Sequence, residues 1–240
     1  MLFLFTDFGW QGPYVGLIKQ VLARQAPAVP VIDLMHDAPT FDPRAAGYLL
    51  AALGGELYDG VLVGVVDPGV GGERAGLILE ADGLILVGPD NGLFEPLAVR
   101  ARRLRTWGIT WRGERLSASF HGRDLFAPVA ALLASGQATP AELGSEQPFP
   151  WRNWPQDWPA IIYWDHYGNA MTGLRAADLE QGAVLEVGGR RLSRARTFSQ
   201  VGIGEAFWYE NSIGLVELAV NQGSAIDRLG LTLGMTVQRA

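Results

Sequence analysis

Polar residues at the ends of strand-like runs are this chain's candidates for chemistry. Asp67 and Arg74 bracket a glycine-rich run, VVDPGVGGER (65–74). A carboxylate and a guanidinium so placed can meet across the loop as a bidentate pair. Pro68 fixes one dihedral, and three glycines allow close backbone approach to a ligand. The alternative is a structural loop with a surface ion pair. His121 stands in SFHGRDLFAPVAALL (119–133), just before a helix-like run. A helix start favours anionic groups, and Gly122 leaves room for one; a lone histidine can equally be a satisfied structural residue. In TDFG (6–9), Asp7 can accept two hydrogen bonds from a vicinal diol, as acidic residues do for ribose. It can also cap a helix starting near Gly12. GPDNGLF (88–94) is a turn at a strand end. YWDHYGNAMTG (163–173) and YENSIGLVELAVNQGSA (209–225) set Asp165, Asn169, Asn211 and Ser212 beside aromatics. That mixture suits an adenine or amino-acid pocket, and it also suits plain turns.

These clusters need elements to hold them. LFLFTDF (2–8) reads as an apolar strand, VPVIDL (29–34) as a second strand, GVLVGVVD (60–67) as a strand buried on both faces, and GLILEADGLILVG (76–88) as a hairpin about Asp82-Gly83. Residues 14–27, 44–57 and 124–136 read as helices, the last with Asp124 as N-cap. Strands alternating with helices predict an α/β N-terminal domain, a mostly parallel sheet with helices on its faces. Four prolines and three tryptophans in PFPWRNWPQDWP (148–159) read as a stiff linker or packed connector. Beyond it, AIIYWD, AVLEVGG, RRLSRARTF, FWYENSIGLVELAV and LTLGMTVQ read as strands, with only 224–230 helical. The expected organisation is a 1–147 α/β domain, a 148–159 linker and a smaller all-β domain over 160–240.

Composition narrows the chemistry. Among 240 residues, 19 are basic and 25 acidic, for a net charge of -6. That argues against an electrostatically driven nucleic-acid binder. Arg100, Arg102, Arg103 and Arg105 form the one basic run, expected to be a solvated face. Cysteine is absent, which removes disulfides, thiolate metal sites and a thiol nucleophile. Lys19 is the sole lysine, so Schiff-base chemistry has one unpromising candidate on a helix. No Walker A, GxGxxG, HExxH or GxSxG motif occurs. No apolar run is long enough for a membrane helix, and the start lacks a basic signal-like region. A cytoplasmic protein without membrane association is the expectation.

Taken in order, TDFG, VVDPGVGGER, GPDNGLF, FHGRDLFAPVAA, DHYGNAMT and NSIGLVELAVNQGSA closely resemble the S-adenosyl-L-methionine (SAM) hydroxide adenosyltransferase family, relatives of the fluorinase and chlorinase enzymes. The resemblance spans nearly the whole chain. It implies an N-terminal α/β domain with a barrel-like C-terminal domain. It also implies a homotrimer with active sites between the N-terminal domain of one subunit and the C-terminal domain of the next. The implied reaction is hydrolysis of SAM to adenosine and L-methionine, with no cofactor and no metal. Asp67, Arg74 and His121 match the catalytic set of the hydrolytic members. Asp7 matches the ribose-diol ligand. Asp165 and Ser212 match contacts to the methionine ammonium and carboxylate, and Asn169 matches an adenine contact. Phe198 matches a stacking wall and Ala225 a backbone contact. The chain departs from the family pattern at Gly12, where an acidic residue is usual, at Gly173, and at Ile213, where the fluorinase has arginine. Retention of the Asp-Arg-His set argues for water over halide as nucleophile. The competing expectations are halide-dependent adenosyl transfer, a non-catalytic adenosine or SAM binder, and a metal phosphohydrolase built on Asp7, Asp33, His36 and Asp67.

Overall fold

A computed structural model describes residues 1–57 and 59–240. The chain divides into two compact units, Met1–Trp154 and Pro155–Ala240.

The first unit is a seven-stranded sheet in the order β2-β1-β3-β5-β4-β6-β7. Its strands are β1 (Leu2–Thr6), β2 (Val31–Met35), β3 (Val61–Val65), β4 (Gly76–Ala81), β5 (Leu84–Pro89), β6 (Leu104–Ile109) and β7 (Gly144–Glu146). β2, β1, β3 and β5 are parallel neighbours, while β4, β6 and β7 pair antiparallel. Every residue of β1 and β3 is buried, because helices cover both faces. Alternation divides the side chains. Leu2, Leu4, Val61 and Val63 share a core with Ile18 and Leu22 of helix α1 (Tyr14–Gln25). Phe3, Phe5 and Leu62 face the other way, onto Leu50 of α2 (Pro43–Leu53) and Ala98 of α3 (Glu95–Arg100). Each buried Leu or Phe is worth about 1.5–3 kcal/mol. The hairpin at Asp82-Gly83 has positive φ at both residues (50° and 101°), the geometry expected there.

Asp42 caps α2, accepting from the N–H groups of Arg44 and Ala45. Asp124 caps nothing, contrary to expectation. The helix begins earlier, with a π-turn over Gly122–Phe126 that runs into α4 (Ala127–Ala134). The Asp124 carboxylate instead accepts from Ser117 N–H and pairs with Arg123. Asp7 is no cap either: α1 starts after Pro13 without a side-chain cap. Arg102, Arg103 and Arg105 are exposed as expected, Arg105 paired with Glu146, but Arg100 is half-buried. A short helix α5 (Pro140–Leu143), entered through a Thr139–Glu142 capping box, leads into β7. The start of the Pro/Trp-rich segment packs on this unit. Glu95, fully buried, accepts from Arg152 N–H (2.6 Å) and Trp154 N–H (2.7 Å).

The second unit is antiparallel. β8 (Trp158–Trp164), β9 (Ala170–Arg175), β12 (Ala206–Glu210) and β13 (Leu215–Val220) form one sheet, ordered β12-β13-β9-β8. β10 (Leu185–Val187), β11 (Arg190–Leu192) and β14 (Gln238–Arg239) form another, ordered β11-β10-β14. Bridges at Ala160–Thr236 and Arg194–Trp208 join the two sheets at both edges, which gives the barrel-like closure. The expected strand LTLGMTVQ is mostly loop, with only its last residue in β14. Helix α6 (Ala225–Leu229) follows β13.

Candidate active site

The polar clusters of the first unit lie at the C-terminal ends of adjacent parallel strands. Asp7 follows β1, His36 follows β2, Asp67 follows β3 and Asp90 follows β5. Open α/β sheets bind ligands beyond this edge. Asn91 fixes the loop after β3 by donating from Nδ2 to the Val66 carbonyl (2.8 Å). Pro68 and Gly69 turn the chain, with Val70 N–H bonded to Asp67 O (3.2 Å). Gly71 is required: its φ is +81°, and an added Cβ would sit 2.3 Å from the Ala118 carbonyl oxygen. That close approach seats the 67–74 loop against the segment that leads to His121.

The result is a connected triad. Arg74 Nε donates to both oxygens of Asp67 (2.9 and 3.0 Å), and Nη2 makes a further bond to Oδ2. The same Nη2 donates to His121 Nδ1 (2.8 Å). The pair is largely buried, with side-chain exposures of 11% for Arg74 and 5% for Asp67. The Phe126 ring lies 5.1 Å beneath the guanidinium. A guanidinium only donates, so Nδ1 of His121 accepts and the neutral imidazole carries its proton on Nε2. Burial lowers the His121 pKa; the Arg74 charge lowers it further, against an opposing pull from Asp67. A neutral imidazole with a donor at Nε2 can hold an oxygen nucleophile through that N–H and leave a lone pair free to attack.

Asp7 Oδ2 accepts from Phe41 N–H (3.1 Å). Burial raises its pKa, the Phe41 bond opposes this, and Asp67 raises it further. Phe41 has φ 60° and is 74% exposed, and Trp10 is also exposed. Phe41, bonded to Asp7, and Trp10, edge-on to His36, went unnoticed in the sequence, where isolated aromatics carry no positional signal.

The second unit gathers the remaining candidates. Asp165 Oδ1 accepts from the N–H groups of Tyr167 and Asn169 (both 2.9 Å), and Oδ2 accepts from Asn169 Nδ2 (3.1 Å). Asn169 is buried, and its Oδ1 has no partner among the described residues. An orphaned buried acceptor costs about 1–3 kcal/mol, which a ligand N–H would relieve. Gly168 (φ +79°) packs on Ser224, and its carbonyl accepts from Ala225 N–H (3.0 Å), so the turn and α6 are joined. Ala225 therefore has its own N–H occupied. Phe198 stacks edge-on to Tyr209 (5.4 Å). Tyr209 Oη donates to Glu217 Oε1 (2.8 Å), and Asn211 Nδ2 donates to Oε2 (2.7 Å). Ser212, next in the chain, is exposed. Burial pushes the Glu217 carboxyl up despite those two bonds, and Tyr209 rises well above its ordinary value through burial and the neighbouring Glu217. Glu217 was missed at the sequence level. Its one signal was an acidic residue inside the apolar run LVELAV.

Residues 2–144 match the family model for the SAM hydroxide adenosyltransferase N-terminal domain, and residues 159–238 match that for the C-terminal domain. The chain belongs to the SAM hydroxide adenosyltransferase family. A Thermus thermophilus relative named (R)-S-adenosyl-L-methionine hydrolase is 39% identical, covering 99% of this chain and 98% of its own. A Salinispora arenicola relative of the same name is 40% identical, covering 95% of this chain and 93% of its own. Among solved structures, an uncharacterized conserved protein from Thermotoga maritima superimposes with TM-score 0.90 at 27% identity, covering all of both chains. The phosphohydrolase expectation fits this family member poorly. His36 is bonded to Thr6 and Asp33, and both Asp67 oxygens accept from Arg74. Among the described residues no three His, Asp or Glu gather as a metal shell.

Proposed function

We propose that this chain hydrolyses SAM to adenosine and L-methionine, with Asp67, Arg74 and His121 as the catalytic set. The observation that carries this is Arg74 joining a carboxylate to an imidazole at the sheet edge. The electrophile is the ribose 5′ carbon on a sulfonium, whose leaving group is a neutral thioether. No general acid is needed; the requirement is a positioned nucleophile. His121 Nε2–H holds the water or hydroxide oxygen in line with the carbon–sulfur bond. The O–C5′ bond forms, the C5′–S bond breaks, and its electron pair stays on sulfur. From water, one proton is released to solvent per turnover, since Nδ1 of His121 already accepts from Arg74. Hydroxide meeting a sulfonium loses charge separation, so water exclusion favours the transition state. No cofactor or metal takes part.

Asp7 binds the ribose diol. Asn169 accepts from the adenine amino group, Phe198 stacks on the base, and Ala225 lines the base pocket. Asp165 and Ser212 bind the methionine ammonium and carboxylate. The two residue sets meet between neighbouring subunits of a homotrimer, and a molar mass of three chains by light scattering is the expected result. His121→Ala and Arg74→Ala should lower turnover far more than adenosine affinity. Equal losses in both would contradict their assignment to the nucleophile.

A further inference from the structure

A second histidine, outside the triad, is bonded on every side. His36 follows β2 and is fully buried beside the end of β1. Its Nε2 meets Asp33 Oδ1 (3.1 Å), and Asp33 Oδ2 accepts from Lys19 Nζ (2.7 Å). Burial alone would raise the Asp33 carboxyl; its bonds to Lys19 and His36 outweigh this and hold it below its usual range. Asp33 is therefore an acceptor, and Nε2 of His36 carries the proton. Nδ1 then accepts from the Thr6 hydroxyl (2.8 Å), whose oxygen accepts in turn from Phe8 N–H (3.4 Å). Each donor is matched to an acceptor, and His36 and Lys19 both donate into Asp33.

Its consequence falls on Asp7, which lies between Thr6 and Phe8. The His36 carbonyl accepts from Gly9 N–H (2.6 Å), and the Thr6 carbonyl accepts from Ala38 N–H (3.1 Å). Trp10 stands edge-on to the His36 ring at 4.8 Å. The 37–41 segment leaving His36 ends at Phe41, whose N–H grips the Asp7 carboxylate. Backbone bonds thus tie the loop bearing Asp7 to the loop gripping it, and the buried imidazole holds the Thr6 side chain at their junction.

We propose that His36 is a positioning residue that sets the Asp7 carboxylate for diol recognition through Thr6. This rests on the assignment of Asp7 to the ribose diol. His36→Asn places an amide near Nδ1 and keeps the Thr6 partner; His36→Gln reaches Asp33 and loses Thr6. Steady-state kinetics on SAM and its 2′-deoxy analogue separate the roles. For His36→Gln, KM for SAM should rise about tenfold, the scale of one lost hydrogen bond, with kcat little changed. The 2′-deoxy analogue should lose much less, and His36→Asn should stay near the parent. Thr6→Val should repeat the His36→Gln result and Thr6→Ser should rescue it, which serves if His36→Gln does not fold. Equal losses on both substrates, or equal losses in the Asn and Gln variants, would overturn the proposal. Asp7→Asn is the control. If it abolishes the preference for SAM over the deoxy analogue while His36→Gln leaves that preference intact, only the His36 role fails. If Asp7→Asn leaves the preference intact, the diol assignment fails. Hydrogen exchange then decides the His36 role: faster exchange at Phe8, Gly9 and Phe41 in His36→Gln but not His36→Asn supports it, and unchanged exchange overturns it.

Discussion

Arg74→Lys isolates what the guanidinium fork does. It keeps the positive charge beside Asp67 but offers one compact nitrogen in place of a planar fork. In the parent, Nε and Nη2 together hold both Asp67 oxygens while Nη2 also reaches His121 Nδ1 at 2.8 Å. Lysine offers one nitrogen where arginine offers Nε and Nη2, so it cannot keep the two-nitrogen fork on Asp67 while holding His121, and its grip on the Nε2–H tautomer is weakened. Loss of one preorganised donor at a reaction centre lowers kcat by about 10²–10³-fold, or about 2.7–4 kcal/mol. Stability should fall much less than in Arg74→Ala. The alanine variant leaves a nearly buried Asp67 carboxylate unpaired, at about 3–5 kcal/mol. The lysine variant retains a cation there, and its cost should be about 1–3 kcal/mol. The assay is chromatographic kcat and KM with SAM, paired with calorimetric adenosine affinity and thermal melts. Arg74→Lys should lose kcat by at least about a hundredfold with KM and adenosine affinity within about threefold. A variant with near-parental kcat, or one whose loss lies wholly in KM, would refute control of His121 by Arg74.

Three further outcomes are expected. By NMR, His121 should titrate below the ordinary imidazole value of about 6.5, because burial and then Arg74 disfavour its charge, and Arg74→Gln should move it upward; titration above that value in the parent would contradict the geometry. The unfolded chain binds the His121 proton more readily, so its contribution to stability should be lost as pH falls through that window. Asp7→Asn should raise the melting temperature at about pH 8 and converge with the parent at about pH 3, because the raised Asp7 pKa means its stabilising contribution is present at low pH and lost as pH rises; SAM affinity should fall in the same variant. Gly71→Ala forces a Cβ onto the Ala118 carbonyl at a φ of +81°, so it should cost about 1–3 kcal/mol of stability and lower kcat by separating Arg74 from His121, measured by melts and turnover.

β1 and β3 were legible because they are buried on both faces and read as unbroken apolar runs, whereas β6 and the three-residue β7, which carry polar residues, were not read as strands. The β4–β5 hairpin was legible from Asp82-Gly83, whose positive φ values need such residues. The π-turn at 122–126 was not, since its start rests on tertiary packing of Leu125 and Phe126 rather than on a capping side chain. The pairing of Asp67 with Arg74 followed from two charges around a glycine loop. That Arg74 belongs with His121 followed only from the family resemblance, because their separation of 47 residues leaves no local pattern. Glu217 and the His36 network escaped for a related reason: a buried polar residue within or after an apolar strand announces itself only when its partners are seen.

The most direct measurement is product analysis after purified protein is incubated with SAM, with and without chloride and a metal chelator. Adenosine and methionine in equal amounts, unaffected by either addition and lost in His121→Ala, are the expected result. Adenosine released only on denaturation, with no turnover, would contradict hydrolysis and mark a binding protein; a chloride-dependent 5′-chloro product would contradict water as the nucleophile.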